Sequence, residues 1–304
     1  MISGFYAAVT SAQMNPNAVL IDDMTSFAPM LKSMQFTKAN KAVTHSWREV
    51  ADITGVSDVY DFDSPVPDLS VSFTMNSTHL TPYAGSIEVG QDFAKLVNKD
   101  QYFVEQARYV ARDLGMKLEK QVFERLVRTS VDTQRRFIMF NMEDMGDQTW
   151  NSLAVVTWCA GEVCGLYSPA YQKMDTERII ELEKLSNGAL YKNQHGIPVY
   201  GCLFKTVLGL LLANKKMFAV VTNVDPEHKK FDTEFPLQLS AVLDEMLVNE
   251  NTMILMSRRL KTAIGNHYTR KATSNALIRF DEKCNLSVCG VPVLATANIP
   301  SKVN

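Results

Sequence analysis

Short runs rich in β-branched and aromatic residues recur through the middle of the chain, and turn residues separate them. The runs cover residues 151–158, 162–167, 203–210 and 217–225. Val, Ile, Thr, Tyr, Phe and Trp favour the extended backbone of a strand, whereas the intervening Gly, Pro and Asn residues favour turns. The pattern therefore predicts a strand at each run.

A three-and-four spacing of apolar residues predicts a long helix over residues 99–128. The apolar series runs from Phe103 to Val122, and this spacing places its members on one face of a helix. At ~1.5 Å per residue the helix would be roughly 45 Å long, well beyond the usual helix of a globular protein. We therefore expect Gly115 to mark either a bend or a close packing contact. The charged residues expected on the other side are Glu105, Arg108, Arg112 and Glu119.

Helices and strands also alternate in the last third of the chain. Residues 236–247 predict a second amphipathic helix, and residues 252–256 predict a strand. Ser257 is the expected N-cap of a further helix over residues 258–264. Residues 277–299 return to β character. Because helices and strands are mixed without strict βαβ alternation, we predict an α+β fold.

The first 94 residues are less regular. Residues 1–41 show only a weak helical period around Met24 and Leu31, which predicts an extended arm with one short helix. Residues 42–94 alternate between β-type stretches and turn residues, which predicts a long β-hairpin or loop excursion. The excursion holds eight acidic residues against the single base Arg48. It is either complementary to a basic partner surface or simply a solvated acidic loop.

The composition indicates an ordered protein with reduced thiols. Hydrophobic residues make up 46% of the 304 positions, a value typical of a folded protein with one large or two modest domains. The five cysteines are an odd number, which favours free thiols over a disulfide framework. An odd separation places the two thiols of Cys159 and Cys164, and those of Cys284 and Cys289, on opposite faces of a strand. Tetrahedral zinc binding is therefore disfavoured.

Charge balance and hydropathy limit the partners. The chain has 31 basic and 33 acidic residues and a net charge of -2, so no global basic field exists and any contact with DNA must be local or weak. The longest apolar stretch, residues 207–213, is too short to span a bilayer. The N-terminus lacks the basic and apolar regions of a signal peptide, which predicts synthesis in the cytoplasm.

Catalytic motifs are absent from the sequence. It holds no P-loop, no G-x-G-x-x-G, no G-x-S-x-G and no H-E-x-x-H, and its five histidines are scattered. Asp61 and Asp63 share one face of a strand and are a candidate site for a divalent cation, although an exposed acid pair is the competing interpretation. The basic cluster within residues 258–271 is the strongest candidate for phosphate contacts, but few aromatic residues accompany it. We therefore expect no enzyme activity and no cofactor.

Four segments, in this order along the chain, resemble tailed-phage major capsid proteins of the Hong Kong ninety-seven type. They are residues 81–90, 151–167, 196–225 and 288–295, and the third contains Gly-Leu-Leu-Leu-Ala-Asn and ends in Asn-Val-Asp. The resemblance implies an α+β capsid fold of five parts. These are an N-terminal arm (1–41), an extended E-loop with the first peripheral strands (42–94), a spine helix with the peripheral domain (95–150), an axial domain (151–276) and C-terminal strands returning to the peripheral domain (277–304).

The resemblance also implies a function and a set of partners. It implies self-assembly into pentamers and hexamers of an icosahedral shell around double-stranded DNA, with the E-loop lying over a neighbouring subunit. The implied partners in the virion are portal and scaffolding proteins, in some cases a cement protein, and DNA held by weak non-specific contacts, with no membrane. Some family members join subunits covalently through a Lys in the E-loop. Residues 42–94 contain no Lys, so we do not expect that bond.

Local charges lead to a hypothesis about how subunits meet. Residues 95–136 hold ten basic residues against six acids, whereas the E-loop is acidic at Asp58, Asp61 and Asp63. We expect the loop to dock on a neighbour's basic surface near the long helix. Ion pairs at the rim of an interface set its register more than its affinity. The basic residues assigned to this surface are Arg108, Arg112 and Lys120.

Three other functions remain alternatives at this point. An encapsulin-type bacterial nanocompartment uses the same fold around an enzyme cargo, and fold alone does not separate the two. A metal-dependent hydrolase would use Asp61, Asp63 and a distant His, without support from a second ligand motif. A DNA-binding module would use the basic cluster within residues 258–271 and would show strongly salt-dependent binding.

Overall fold

The computed structural model describes residues 16–54, 70–140, 152–171, 179–271, 278–280 and 286–299. The helices are α1 (Pro16–Ser26), α2 (Pro29–Ser33), α3 (Gln91–Leu96), α4 (Lys99–Asp132), α5 (Phe231–Asp244) and α6 (Arg258–Lys271). The strands are β1 (Phe36–Lys38), β2 (Thr44–Thr54), β3 (Ser70–His79), β4 (Thr81–Gly90), β5 (Arg136–Ile138), β6 (Leu153–Thr157), β7 (Val163–Tyr167), β8 (Ile180–Lys184), β9 (Tyr191–Lys192), β10 (Pro198–Leu212), β11 (Phe218–Thr222), β12 (Thr252–Ser257), β13 (Ile278–Phe280), β14 (Leu286–Val288) and β15 (Val291–Thr296). Within these ranges no helix combines the length and apolar character needed to cross a bilayer.

The described strands form three sheets. In a six-stranded sheet, β10 is central: it pairs antiparallel with β4 along one edge and with β7, β8 and β9 along the other, and β1 pairs parallel with β7. A seven-stranded sheet has the order β13-β14-β15-β12-β6-β11-β5. Strands β2 and β3 pair only with each other, as a separate two-stranded hairpin.

Side chains of the seven-stranded sheet alternate between two apolar cores. Along β6, Leu153 and Val155 face a core shared with α5 and α6, whereas Ala154 and Val156 face a core shared with α4. Successive side chains of a strand point to opposite faces, so both faces of β6 are covered by helices. This explains why every residue of β6 is buried and why its sequence is apolar throughout.

The long helix α4, which we call the spine helix, confirms the prediction made for residues 99–128. It has 34 residues, which corresponds to roughly 51 Å. The Asn98 side chain caps it by accepting hydrogen bonds from the backbone N–H groups of Asp100 and Gln101, at 3.1 and 3.4 Å. This N-cap satisfies two of the donors that the first turn of a helix leaves free.

Gly115 is a close packing contact, one of the two roles expected for it. A Cβ atom at this position would lie 2.1 Å from the backbone oxygen of Met24. Helix α1 therefore crosses the spine helix at a distance that only glycine permits. The contact lies in the main apolar core, where Leu114 and Leu118 are also buried.

The described part of residues 1–41 is more helical than the extended arm with one short helix that the sequence predicted. Residues 16–33 form two helices separated at Pro29, and Met24, Met30 and Leu31 are fully buried against the spine helix. The helical period was weak because two short helices, interrupted at residues 27 and 28, share one stretch of sequence. The segment ends in β1, which joins the six-stranded sheet through β7.

Strand pairing connects segments that the sequence-based division assigned to different parts of the chain. β7 and β10, expected in the axial domain at 151–276, pair in the same sheet as β4. The C-terminal strands from residue 277 onward lie in the sheet of β6, β11 and β12, because β15 pairs parallel with β12. Consecutive strands such as β6 and β7 thus belong to different sheets, and sequence order alone does not reveal this.

The elements predicted in the last third are present, with ends that differ from the prediction by up to seven residues. Helix α5 begins at Phe231 instead of residue 236, and α6 continues to Lys271 instead of ending at residue 264. Ser257 is the N-cap of α6, as expected: its Oγ accepts a hydrogen bond from the backbone N–H of Leu260 at 3.1 Å. Strand β12 lies directly before this cap, where it was predicted.

Candidate assembly surfaces

The β2–β3 hairpin lies outside the two larger sheets of the described chain and pairs only with itself. Its register runs from Thr44 opposite His79 to Thr54 opposite Ser70, with an irregularity between Val50 and Asp52. Ten paired residues at ~3.3 Å each make the hairpin roughly 33 Å long. This agrees with the predicted hairpin within residues 42–94.

One face of the hairpin exposes a row of large apolar side chains. Phe73 and Met75 are 55% and 64% exposed, and Val71 on the same strand face is exposed as well. Val50 lies opposite Phe73 in the antiparallel pair and is also exposed. Contiguous exposed apolar side chains of this kind mark interaction surfaces in soluble proteins. We call Val50, Val71, Phe73 and Met75 the apolar hairpin face.

The root of the hairpin is fixed to the spine helix. Thr78 is buried, and its hydroxyl donates a hydrogen bond to the backbone oxygen of Leu210 at 3.2 Å. The same hydroxyl accepts a hydrogen bond from the Arg125 guanidinium. A single threonine thus joins β3, the central strand β10 and the spine helix, and sets where the hairpin leaves the body of the molecule.

Arg108 and Arg112, predicted to receive a neighbour's acidic loop, both bind Asp23 of α1 in the same chain. Arg112 Nη2 lies 2.8 Å from Asp23 Oδ1, and Arg108 Nε donates to the other carboxylate oxygen. Burial alone would raise the pKa of Asp23, but the hydrogen bonds and charges of the two arginines outweigh it and lower that pKa. The pair therefore stabilises the packing of α1 on the spine helix.

The other residues assigned to the docking surface are not brought together with this pair. Lys120 lies two helical turns beyond Arg112 and faces Glu124 at 3.8 Å, with both side chains in contact with solvent. Asp58, Asp61 and Asp63 lie outside the described residues. Docking of the acidic loop near the spine helix stays a prediction.

A buried carboxylate on the spine helix was missed. Glu119 was expected on the polar side but is fully buried. Its Oε1 accepts from the backbone N–H of Met30 at 2.7 Å, and its Oε2 accepts from Thr296 Oγ1 at 2.6 Å and from Asn298 Nδ2. Burial raises the pKa of Glu119, and the three donors lower it only in part. The sequence did contain a sign of this burial. Residue 119 lies four positions after Gly115, which places it on the same buried face of the helix.

Glu119 links three distant parts of the chain. It joins helix α2 to the spine helix through Met30, and joins both to the end of β15 through Thr296 and to the chain just after it through Asn298. Asn298 also donates to the backbone oxygen of Phe27 at 2.8 Å. The three donors offset part of the cost of burying this carboxylate.

The remaining candidate chemistry does not converge on a site in the described part of the chain. His267 Nε2 bonds Asp232, so this member of the basic cluster is held within the fold, while Arg258 and Arg259 are exposed. Cys159, Cys164, Cys202 and Cys289 are free thiols. Across the described ranges no group of three or more His, Cys, Asp or Glu residues is placed to hold a metal ion.

Comparison with known proteins gives matches only among solved structures. No protein-family model matches the sequence, and no curated protein matches it significantly. A chain in the structure of bacteriophage Epsilon15 is 13% identical, with the match covering 88% of this chain and 86% of that chain at a TM-score of 0.52. The bacteriophage JBD30 capsid is 7% identical over 86% and 88% of the two chains, at 0.49. The SrpI encapsulin of Synechococcus elongatus PCC 7942 is 10% identical over 65% and 88%, at 0.44.

The match to the Epsilon15 chain establishes the fold. The Epsilon15 match covers most of both chains, and the long spine helix, the extended hairpin and the mixed sheets occur in the order that the sequence predicted. The chain has the α+β capsid fold of tailed-phage major capsid proteins of the Hong Kong ninety-seven type. The fold predicted from the four resembling segments is confirmed.

Proposed function

We propose that this chain is the major capsid protein of a tailed phage and that it self-assembles into pentamers and hexamers of an icosahedral shell around double-stranded DNA. The observation that carries the proposal is the apolar hairpin face on a chain with this capsid fold. Burying a large apolar side chain contributes about 1.5–3 kcal/mol. Among the described residues, no helix or sheet of the same chain packs on this face of the hairpin. A neighbouring subunit would therefore supply the burial.

The same proposal sets the partners and the location. The chain would be made in the host cytoplasm and reside in the virion capsid, with copies of itself as its main partner. Portal and scaffolding proteins would act during assembly, a cement protein could add contacts, and DNA would be held by weak local contacts because the net charge is only -2. Its role is structural, not catalytic.

We also propose that the acidic loop of one subunit docks on the basic surface near the spine helix of another. The acids would be Asp58, Asp61 and Asp63. Arg108 and Lys120 keep part of their side chains in solvent, and Arg112 adds charge that the single carboxylate of Asp23 does not fully balance. Such exposed pairs would set the register between subunits and add little affinity.

The test is to express the chain alone and examine it by size-exclusion chromatography and negative-stain electron microscopy. Shells, tubes or rings of five or six subunits are expected. Phe73→Ser with Met75→Ser should leave folded subunits that close few shells, and Asp61→Lys with Asp63→Lys should reduce the yield of regular shells. Thr74→Ala, on the opposite strand face, is the matched control and should assemble normally.

Two results would contradict, in turn, the capsid function and the role of the apolar hairpin face in assembly. One is a chain that stays monomeric even when a scaffolding protein is produced with it. The other is normal shell formation by the Phe73 and Met75 double variant, which would show that the apolar hairpin face is not an interface. The encapsulin alternative uses the same fold, and the contents of native particles decide between the two: DNA indicates a phage capsid, and an enzyme cargo indicates a nanocompartment.

A further inference from the structure

A cavity of about 530 Å³ lies between the spine helix and the six-stranded sheet. Its volume falls within the range of about 300–1,000 Å³ that is usual for small-molecule sites. Helix α2, strand β10 and the spine helix supply most of its apolar lining. The buried members of this lining are Leu31, Met34, Leu118, Val122, Leu208 and Leu210.

The polar side chains of the cavity lie toward solvent. Thr81, Gln121 and Arg128 line it and are exposed, and Arg125 is partly exposed. The cavity therefore has an apolar interior and a polar mouth. A site of this kind orients a molecule that has one polar end and an apolar tail.

The mouth carries positive charge that the folded chain does not neutralise. Among the described ion pairs, neither Arg125 nor Arg128 has an acid within 4.0 Å. The Thr78 hydroxyl, a neutral acceptor, receives a hydrogen bond from Arg125. Glu124 also lines the cavity, but it faces Lys120 at 3.8 Å. The charge at the mouth therefore favours an anion.

Burial gives Arg125 a further reason to bind an anion. It lowers the pKa of Arg125, because the charged guanidinium is partly withdrawn from water. A charge-assisted hydrogen bond to a carboxylate is stronger than a bond to a neutral hydroxyl. A carboxylate at the mouth would therefore offset part of the desolvation cost that Thr78 alone leaves.

The other groups at the mouth exclude a metal ion and a purely polar ligand. The Tyr83 hydroxyl donates a hydrogen bond to Gln121 Oε1, so these two groups satisfy each other. Within the described ranges no three His, Cys, Asp or Glu residues are placed to hold a metal ion. A small inorganic anion would leave the apolar interior unfilled, so the tail of the ligand must be apolar.

We propose that this cavity binds a medium-chain alkyl carboxylate, of roughly eight to twelve carbons. The carboxylate would accept hydrogen bonds from Arg125 and Arg128, and the tail would pack on the apolar lining. The inference goes beyond the proposed capsid function and does not depend on it. Because Arg125 also holds Thr78, the ligand would lie beside the root of the hairpin and stabilise the folded subunit.

The test is isothermal titration calorimetry of decanoate into unassembled full-length subunits, below the concentration at which decanoate forms micelles. Saturable binding at one site per subunit is expected. Octanoate should bind more weakly, by about fourfold for each methylene group removed, because each group is buried. Decanol has the same tail without the charge and should bind at least tenfold more weakly than decanoate.

Variants locate the two ends of the ligand. Arg125→Gln should weaken decanoate binding about tenfold to hundredfold and leave decanol binding nearly unchanged. Lys117→Gln, on an exposed side chain that pairs with Asp113, is the matched control and should bind decanoate normally. Phe73→Ser with Met75→Ser should also bind normally, because the tail would not use the apolar hairpin face.

The ligand series keeps the test decisive if Arg125→Gln fails to fold, because it leaves the subunit unchanged. Equal binding of decanoate and decanol, or no saturable site, would overturn the inference. So would decanoate binding that Arg125→Gln leaves unaltered, or that the Phe73 and Met75 double variant abolishes. Normal shells from a chain that does not bind decanoate would remove this inference and leave the capsid function.

Discussion

At the scale of single residues, Gly115 decides how closely α1 approaches the spine helix. We predict that Gly115→Ala lowers the free energy of unfolding by about 1–3 kcal/mol, because the new methyl group would meet the rigid backbone oxygen of Met24. Gly85→Ala is the matched control, since nothing lies within 4 Å of its added Cβ. Chemical denaturation of unassembled subunits measures both. Equal stability of the two variants would mean that α1 moves away from the helix without cost.

Glu119 makes stability depend on pH in a direction opposite to that of most paired carboxylates. Its pKa is raised in the folded state, so its stabilising contribution is complete below the unfolded value of about 4.3 and is lost as pH rises through the folded pKa. We predict that the stability difference between the natural chain and Glu119→Gln shrinks as pH rises from 4 to 8. Thermal unfolding across that range measures it.

Asp23 supplies a control of opposite sign for this measurement. Its pKa is lowered by Arg108 and Arg112 despite burial, so its contribution is present above the unfolded value and is lost as pH falls. The stability difference between the natural chain and Asp23→Asn should therefore grow as pH rises through the acidic range. A Glu119 difference that stayed constant, or followed the Asp23 trend, would contradict the assignment of Glu119 as a desolvated acid.

At the scale of elements, a helix or strand was predictable from the sequence where interactions within a few residues specify it, and not where contacts between distant segments do. The spine helix, α6 and its Ser257 cap were predictable because periodicity and capping act within a few residues. Only one short helix was predicted where α1 and α2 lie, because packing on the spine helix specifies them more than their own periodicity does. The seven-stranded sheet was also beyond prediction, since pairing of β12 with β15 joins residues about forty positions apart.

The candidate surfaces were likewise predictable only as far as local sequence specifies them. The acidity of the loop and the basic character of the spine helix are visible in the sequence, but the partners of individual arginines are not. Arg112 binds an acid 89 residues away, and Arg125 is held by a threonine 47 residues away. Only the folded chain shows that Arg108 and Arg112 hold α1 whereas Arg125 holds the root of the hairpin.

At the scale of the whole molecule, the hairpin can be shortened without touching either large core. Thr54 and Ser70 are paired across β2 and β3, so a two-residue Asn-Gly turn can replace residues 55–69 and close the same register. We predict that this variant folds with unchanged thermal stability but forms few closed shells, because it lacks the acidic segment that engages a neighbour while retaining the apolar hairpin face. Light scattering after size exclusion, together with electron microscopy, gives the assembly state. A replacement of equal length in Gly and Ser residues tests whether loop length or its side chains are responsible; normal shells from both variants would show that residues 55–69 have no part in assembly.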